Sequence, residues 1–408
     1  MATKTSDLAK HDGKSPVKKK NVRVNANRIY RLVGEVDRPL LIVIIALVCI
    51  GSVMIFSSSY AYADSKFGDS YYFARSQVGF ALAGIAAMVI IAKTLDYRYL
   101  KRPAYIFYVG TLVLNYLVPF FGQTVKGATR WFVIFGVQFQ PSELLKFGLV
   151  LACATYISDH ISEMKSLKKG AIPIALITAP ATIATILQKH LSATIILLLL
   201  MFVMLWLSGL KGFWFGVATG SVATLGLFVL TIGRVIIEKL LPHALIRLQV
   251  WRNPFEFMSA ESGGKGWQPA QSLLAISSGG FWGLGLGQSN QKHGYLPEPQ
   301  NDYIFAILCE ELGFFGVICV ITLFGILAYR GYRVSKNAPN RFSSLLAMGI
   351  TAQVIIQTIL NLAVVSNSLP STGISLPFFS YGGTSLIILL AEMGIVLSIS
   401  RYSYIEQG

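Results

Sequence analysis

The chain has 408 residues, 54% of them hydrophobic and only 13% charged, with 35 Lys and Arg against 19 Asp and Glu for a formal net charge of +16. A soluble globular chain carries about a quarter charged residues, so a fold solvated mainly by water is excluded. Repeated apolar runs long enough to cross a bilayer as helices take its place.

Residues 1–37 are rich in Lys and Arg, with the run Lys18-Lys19-Lys20, and read as a basic, disordered cytoplasmic tail. Residues 38–401 read as an all-α polytopic membrane domain of about ten transmembrane helices. The spans fall near 39–59, 76–93, 103–121, 142–158, 171–187, 191–208, 213–233, 303–329, 343–366 and 384–401. One large extracellular loop, 234–302, lies between spans seven and eight, and 402–408 form a short cytoplasmic C-terminus. With the N-terminus inside, the tail, Lys93/Arg98/Lys101/Arg102, Lys165/Lys168/Lys169, Lys211, Arg330/Arg333/Lys336/Arg341 and Arg401 hold most of the basic residues. That asymmetry predicts both termini in the cytoplasm of a multi-pass plasma-membrane protein. It also accounts for the positive charge without a nucleic-acid partner.

Three segments expected outside combine Gly, Pro and aromatic residues: 122–141, 234–302 and 367–383. Within the second, 235–251 shows apolar residues at helical spacing between Arg234, Lys239, His243 and Arg247. This predicts a helix lying in the interface, interrupted by Pro242. The Gly-rich run 279–287 neither follows a strand nor opens a nucleotide-binding helix, so close backbone packing or a short re-entrant turn is expected of it. Cys49, Cys153, Cys309 and Cys319 all lie in apolar runs and read as core residues, not as a disulfide framework or metal site. His190 and His293 are isolated and read as polar loop residues.

Ionisable groups in or beside spans are costly and mark pairs or cavities. Glu143 and Lys146 share a helix face, which fits a structural ion pair and a cation facing an anionic ligand equally well. Glu310 and Glu311 point away from Asp302 by helical geometry, so no close carboxylate dyad of glycosidase type is expected. Glu392 stands in the last span. Asp302 closes the longest polar loop at the mouth of span eight. There it could cap the helix or act as a base, and the two roles are not exclusive. Pro297 and Pro299 should hold Leu296 and Glu298 extended and stiffen the approach.

The run Gly285-Leu286-Gly287-Gln288-Ser289, Gln291-Lys292 and Tyr295-Leu296-Pro297-Glu298-Pro299-Gln300-Asn301-Asp302-Tyr303, followed by Glu310-Glu311-Leu312-Gly313, resembles the signature of the shape, elongation, division and sporulation family, the FtsW, RodA and SpoVE group. Gly127-Ala128-Thr129-Arg130-Trp131, Gln140-Pro141-Ser142-Glu143-Leu144-Leu145-Lys146 and Leu376-Pro377-Phe378-Phe379-Ser380-Tyr381-Gly382-Gly383 match its other motifs. The pattern is closer to FtsW or SpoVE of Gram-positive type than to RodA.

The resemblance implies a peptidoglycan glycosyltransferase. It would polymerise lipid II, the undecaprenyl-diphosphate-linked disaccharide-pentapeptide, for the division septum. Its partners would be a class B penicillin-binding protein and other divisome proteins. It implies Asp302 as general base, with Arg130, Trp131, Glu143, Lys146, Lys292, Glu298, Ser380 and Tyr381 as the substrate-binding set. Arg130 and Lys146, then Lys292, are the cations expected to meet the leaving diphosphate. Trp131, Phe378 and Tyr381 are expected against sugar or polyprenyl chain. A divalent cation, Mg or Mn, could share the charge, although the sequence shows no dedicated metal site. The family pattern is departed from at Gln188-Lys189-His190-Leu191-Ser192, at Gly294 and at Asn301. A lipid II flippase, a scaffold and an elongation polymerase are the alternative readings.

Overall fold

In the computed structural model, the described residues are 34–402, apart from 126–127, 135, 211, 214–215, 217–241 and 260–263. The long helices are α1 (Arg38–Phe67), α2 (Tyr72–Thr94), α3 (Ala104–Phe121), α4 (Pro141–Asp159), α5 (Ile172–Leu187) and α6 (Leu191–Leu207). Two shorter helices follow, α7 (Pro242–Arg252) and α8 (Trp267–Ser278). Three more long ones close the chain, α9 (Ile304–Lys336), α10 (Arg341–Val365) and α11 (Gly383–Ser400). Seven helices among the described residues are long and apolar enough to cross a membrane. The expected spans at 142–158 and 191–208 also coincide with helices, α4 and α6. The expected span 213–233 falls almost entirely outside the described residues, as do 1–33 of the basic tail and 403–408.

The hydropathy of α4 is low for a structural reason. It runs through the middle of the bundle, burying Leu145, Lys146, Phe147 and nearly every residue to Ile157. A helix surrounded by protein can carry polar groups that a lipid-facing one cannot. Helix α10 is similarly enclosed and buries Thr351, Gln353, Gln357, Thr358 and Asn361. The lipid-facing surfaces fall instead to helices such as α2 and α3, which present Leu82, Ile90, Ile106 and Val109.

Two departures from the expected organisation bear on the site. Residues 122–141 hold a three-stranded antiparallel meander, β1 (Gln123–Val125), β2 (Ala128–Ile134) and β3 (Val137–Phe139). Thr124 and Thr129 pair across it through their hydroxyls, 2.7 Å apart. The register sets Trp131 opposite Gln123 and Phe132 opposite Phe139. Second, the described part of the expected interfacial helix is α7, with Pro242 as its first residue. The missing proline N–H is one that the first turn leaves unpaired anyway. Residues 235–241 of that expectation lie outside the described part.

Helix α9 is broken at Gly313, where φ is 63° and ψ −165°. The break frees the carbonyls of Glu310 and Glu311, and the Gly-rich run supplies their donors. The N–H groups of Leu284 and Gly285 reach them at 2.9 and 3.0 Å, while Phe314 N–H returns to Gly280 O at 3.0 Å. A Cβ on Gly313 would lie 2.2 Å from Gly283 N, so the two backbones touch without room for a side chain. The run at 279–287 therefore serves close backbone packing.

Candidate functional site

The segment that ends at Asp302 is fixed from several sides. Trp267 and Gln268 of α8 donate to the carbonyls of Tyr295 and Pro297. Tyr381 N–H reaches Gln300 O at 2.9 Å, Ser380 Oγ donates to Asn301 O at 2.9 Å, and Asn361 Nδ2 donates to Asp302 O at 2.8 Å. The last three backbone carbonyls before Tyr303 are thus held by α10 and the 371–381 segment. Glu298 is not extended as the following proline would favour. Its φ is 50°, and it closes a turn in which Asn301 N–H meets Glu298 O and Asn301 Nδ2 meets the Glu298 carboxylate, both at 3.1 Å. These paired bonds outweigh the proline's local preference. Asp302 is not the helix cap: Tyr303 takes the N-cap position of α9, without a side-chain capping bond. Tyr303 OH instead pairs with Ser371 Oγ at 3.1 Å.

The Asp302 carboxylate lies against Gly373, whose φ is +69°. A Cβ there would sit 3.1 Å from Asp302 Oδ2. Ser192 Oγ at the start of α6 donates to Thr372 O, and so ties this segment to the turn between α5 and α6. That turn is a hub. Arg130 of β2 donates to Lys189 O at 2.7 Å, while Gln188 Nε2 reaches Asn115 O at 2.7 Å. His190 lies in this turn, as expected, but it is buried. Burial, then the charges of Arg130 and Lys146, pull its pKa down to about 3, so it is neutral at physiological pH. Burial and then Arg247 of α7 also hold Arg130 below its ordinary value, while Asp302 acts in the opposite direction. Arg130 Nε, His190 Nδ1, Thr372 Oγ1 and Asn361 Oδ1 are buried without a hydrogen-bond partner among the described residues. These are groups that a polar ligand could satisfy.

The remaining expected site residues divide. Trp131 is half-buried on the strand that carries Arg130. Lys146 is buried and paired with Glu143 at 2.8 Å, and its ammonium also donates to Gln357 Oε1 at 2.8 Å. Deeper still, Gln353 donates to Glu392 at 2.9 Å. Lys292 is set elsewhere: fully buried, it pairs with Glu311 at 2.7 Å and lies 4.8 Å from the Tyr60 ring centroid. Its charge is already neutralised, so it does not stand free for an anion as expected. Phe378 is also enclosed, near Phe324 of α9. Among the described residues, no group of three or more His, Cys, Asp or Glu is placed to hold a metal ion.

Sequence reasoning missed His190, Ser192 and Arg247. Each is one polar residue in a local context that favours a loop or an interfacial helix, and only tertiary packing brings them toward Asp302.

A helical, multi-pass membrane architecture with one carboxylate held among buried polar groups defines the class. The chain belongs to the FtsW/RodA/SpoVE family: the model of that family, described as cell cycle protein, matches residues 38–405. Stage V sporulation protein E of Bacillus subtilis (strain 168) is 36% identical over 370 residues, covering 90% of this chain and 97% of that one. A probable peptidoglycan glycosyltransferase FtsW of Geobacter sp. (strain M18) is 35% identical over 372 residues, covering 91% and 98%. Among solved structures, a chain described under structural coordination of polymerization and crosslinking by a peptidoglycan synthase complex superposes with a TM-score of 0.74. It is 28% identical and covers 90% of this chain and 98% of that one. The rod shape determining protein RodA of Thermus thermophilus gives 0.65 at 27% identity, covering 91% and 98%.

Proposed function

We propose that this chain is a peptidoglycan glycosyltransferase that polymerises lipid II into glycan strands, with Asp302 as general base. Its role would be at the division septum, in complex with a class B penicillin-binding protein. The Asp302 end of the bundle would face outward, with both termini in the cytoplasm. The observation that carries the reading is the Asp302 carboxylate on Gly373, with its backbone fixed by Ser380, Tyr381 and Asn361 and Arg130 in electrostatic reach.

In the reaction, an acceptor sugar 4-hydroxyl attacks the anomeric carbon that bears the lipid diphosphate. The O–H proton passes to Asp302, the new C–O bond forms, and the anomeric C–O bond breaks with its electron pair leaving on the diphosphate. Displacement from the opposite face converts an α-linked diphosphate into a β-linkage. A positioned base contributes about 10²–10⁴ in rate. Arg130 is the first cation for the leaving diphosphate, with Arg247 beside it and Lys146 deeper. Ser380 and Tyr381 position the base from the neighbouring loop, Glu298 shapes its approach turn, and Trp131 borders the site.

Purified protein with its partner in detergent, supplied with lipid II, tests this. The wild type should yield glycan polymer and Asp302→Asn none, although the variant folds and binds the partner normally. Polymer of wild-type amount from Asp302→Asn would remove the base assignment. Absence of polymer from the wild type would favour the flippase reading, because detergent makes transbilayer movement unnecessary.

A further inference from the structure

The hairpin between α1 and α2 carries a connected set of aromatic rings that starts beside the candidate site. Tyr381, whose N–H holds Gln300, meets Phe73 edge-on at 4.9 Å. Phe73 is buried and meets Tyr72 at 5.2 Å, Phe67 at 5.9 Å and Tyr62 at 6.1 Å. Phe67 and Tyr72 stack at 4.3 Å with planes 14° apart, yet remain 45% and 44% exposed. Tyr71 stacks on Phe56 at 5.2 Å and is 55% exposed. The path thus leads from a residue whose backbone holds the segment ending at Asp302, through an enclosed hub, to open flat faces.

Polar groups fix and border this surface. Lys66 Nζ donates to Tyr62 OH at 2.8 Å and lies 5.6 Å from the Phe67 ring centroid. Ser70 Oγ donates to Asp64, Tyr71 N–H to Asp69, and Arg75 pairs with Asp69. The hairpin is therefore held in shape before any ligand arrives. Helix α1 has 30 residues and is about 45 Å long, against a hydrocarbon core of about 30 Å. Its first residue follows Asp37, which pairs with Arg330 at 2.6 Å and so stands at or beyond the opposite boundary. Phe67 is the helix's last residue, at the end far from Asp37. The ring-bearing end therefore emerges from the hydrocarbon into the headgroup zone and water.

We propose that the aromatic surface at Phe67, Tyr71 and Tyr72 binds the growing sugar strand, a run of β-linked N-acetylhexosamine rings. The C–H faces of such rings carry partial positive charge and lie against the negative face of an aromatic ring. Their hydroxyl and amide groups find partners in the Tyr hydroxyls and in Lys66, Asp69 and Arg75. A polymerase that keeps its product needs such a surface in line with its base, and the Tyr381–Phe73 contact supplies the continuity. The proposal rests on the glycosyltransferase reading.

The test uses the full chain in detergent and, as probe, a lipid-free β-1,4-linked oligomer of N-acetylglucosamine and N-acetylmuramic acid. Phe67→Leu combined with Tyr72→Leu keeps apolar bulk and membrane partitioning but removes two flat faces. Binding of the oligomer should weaken about tenfold, as expected for the loss of two ring contacts. In polymerisation with the partner, glycan length per lipid II consumed should fall several-fold. Phe67→Trp should retain both properties, and an unchanged thermal midpoint shows that the double variant is folded. Oligomer binding equal to wild type in the double variant overturns the proposal and leaves the rings as membrane anchors. So does a wild-type chain that does not bind the oligomer. Failure of the parent reading shows separately, as absence of polymer from the wild type.

Discussion

Asp302 shows how a residue can be legible in sequence while its support is not. A carboxylate closing a polar loop at the mouth of an apolar helix is visible in the string. Gly373, 71 positions later, is not, because nothing local distinguishes it from other loop glycines. Its φ of +69° disfavours any other residue, and a Cβ would press at 3.1 Å on Asp302 Oδ2. Gly373→Ala should therefore lower polymerisation about 10²-fold, as expected when a reacting group is displaced by a fraction of its bond reach. The protein should remain folded, which a thermal melt would show. Activity within twofold of wild type would mean that the carboxylate need not stand where Gly373 allows it.

His190 makes a second prediction at this scale. Its folded pKa of about 3 is below the unfolded value of 6.5, so the unfolded chain binds the extra proton first. The stability it contributes is fully present above pH 6.5 and is lost as pH falls toward 3, at roughly 1 kcal/mol per pH unit. His190→Asn should flatten the dependence of the melting midpoint between pH 6.5 and 4.5 relative to wild type. Parallel curves would show that His190 is not held neutral.

At the scale of elements, the decisive feature is how the Gly-rich run meets the broken helix α9. The glycine spacing is readable as close packing, but its target is not, since Gly313 lies 26 residues beyond Gly287 in a helix that looks continuous by hydropathy. Around the break, Glu310 accepts from Ser289 Oγ at 2.5 Å and Asn290 N–H at 3.0 Å. Glu311 accepts from Ser57 Oγ of α1 at 2.5 Å and Lys292 Nζ at 2.7 Å. These bonds join α1, the loop and α9 in a single buried network. The Lys292–Glu311 pair was not legible in the string, because no sequence pattern links the two residues across the 19 positions that separate them. Lys292→Met alone leaves Glu311 buried without its cation and should destabilise the fold by about 3–5 kcal/mol. Lys292→Met with Glu311→Gln should recover most of that loss, because no uncompensated charge remains. Thermal unfolding of the single and double variants in the same detergent decides it. A double variant no more stable than Lys292→Met would show that the pair contributes no coupling.

For the molecule as a whole, the bundle follows from one physical demand, that lipid accept no unpaired backbone. That demand made the long helices the most legible part of the chain, because each is an apolar run read locally. It left the small sheet at 123–139 unread, since three short strands without strong alternation look like any loop. The distribution of charge predicts an orientation. The end bearing Lys93, Lys165, Lys168, Arg333 and Lys336 is rich in cations, whereas the Asp302 end is not similarly enriched in its short connections. With the positive end inside, the α1–α2 hairpin must share the outward side with Asp302, and the α4–α5 connection must lie in the cytoplasm. Ser70→Cys, in the hairpin, should then react in intact cells with a thiol reagent that cannot cross the membrane. Ser162→Cys, between α4 and α5, should react only after the membrane is opened. Both are compared with the parent chain, whose Cys153 and Cys309 are buried and whose exposed Cys49 and Cys319 lie in apolar stretches of α1 and α9. The reverse labelling pattern would turn the candidate site toward the cytoplasm and, with it, exclude a role in polymerising the wall on the outer surface.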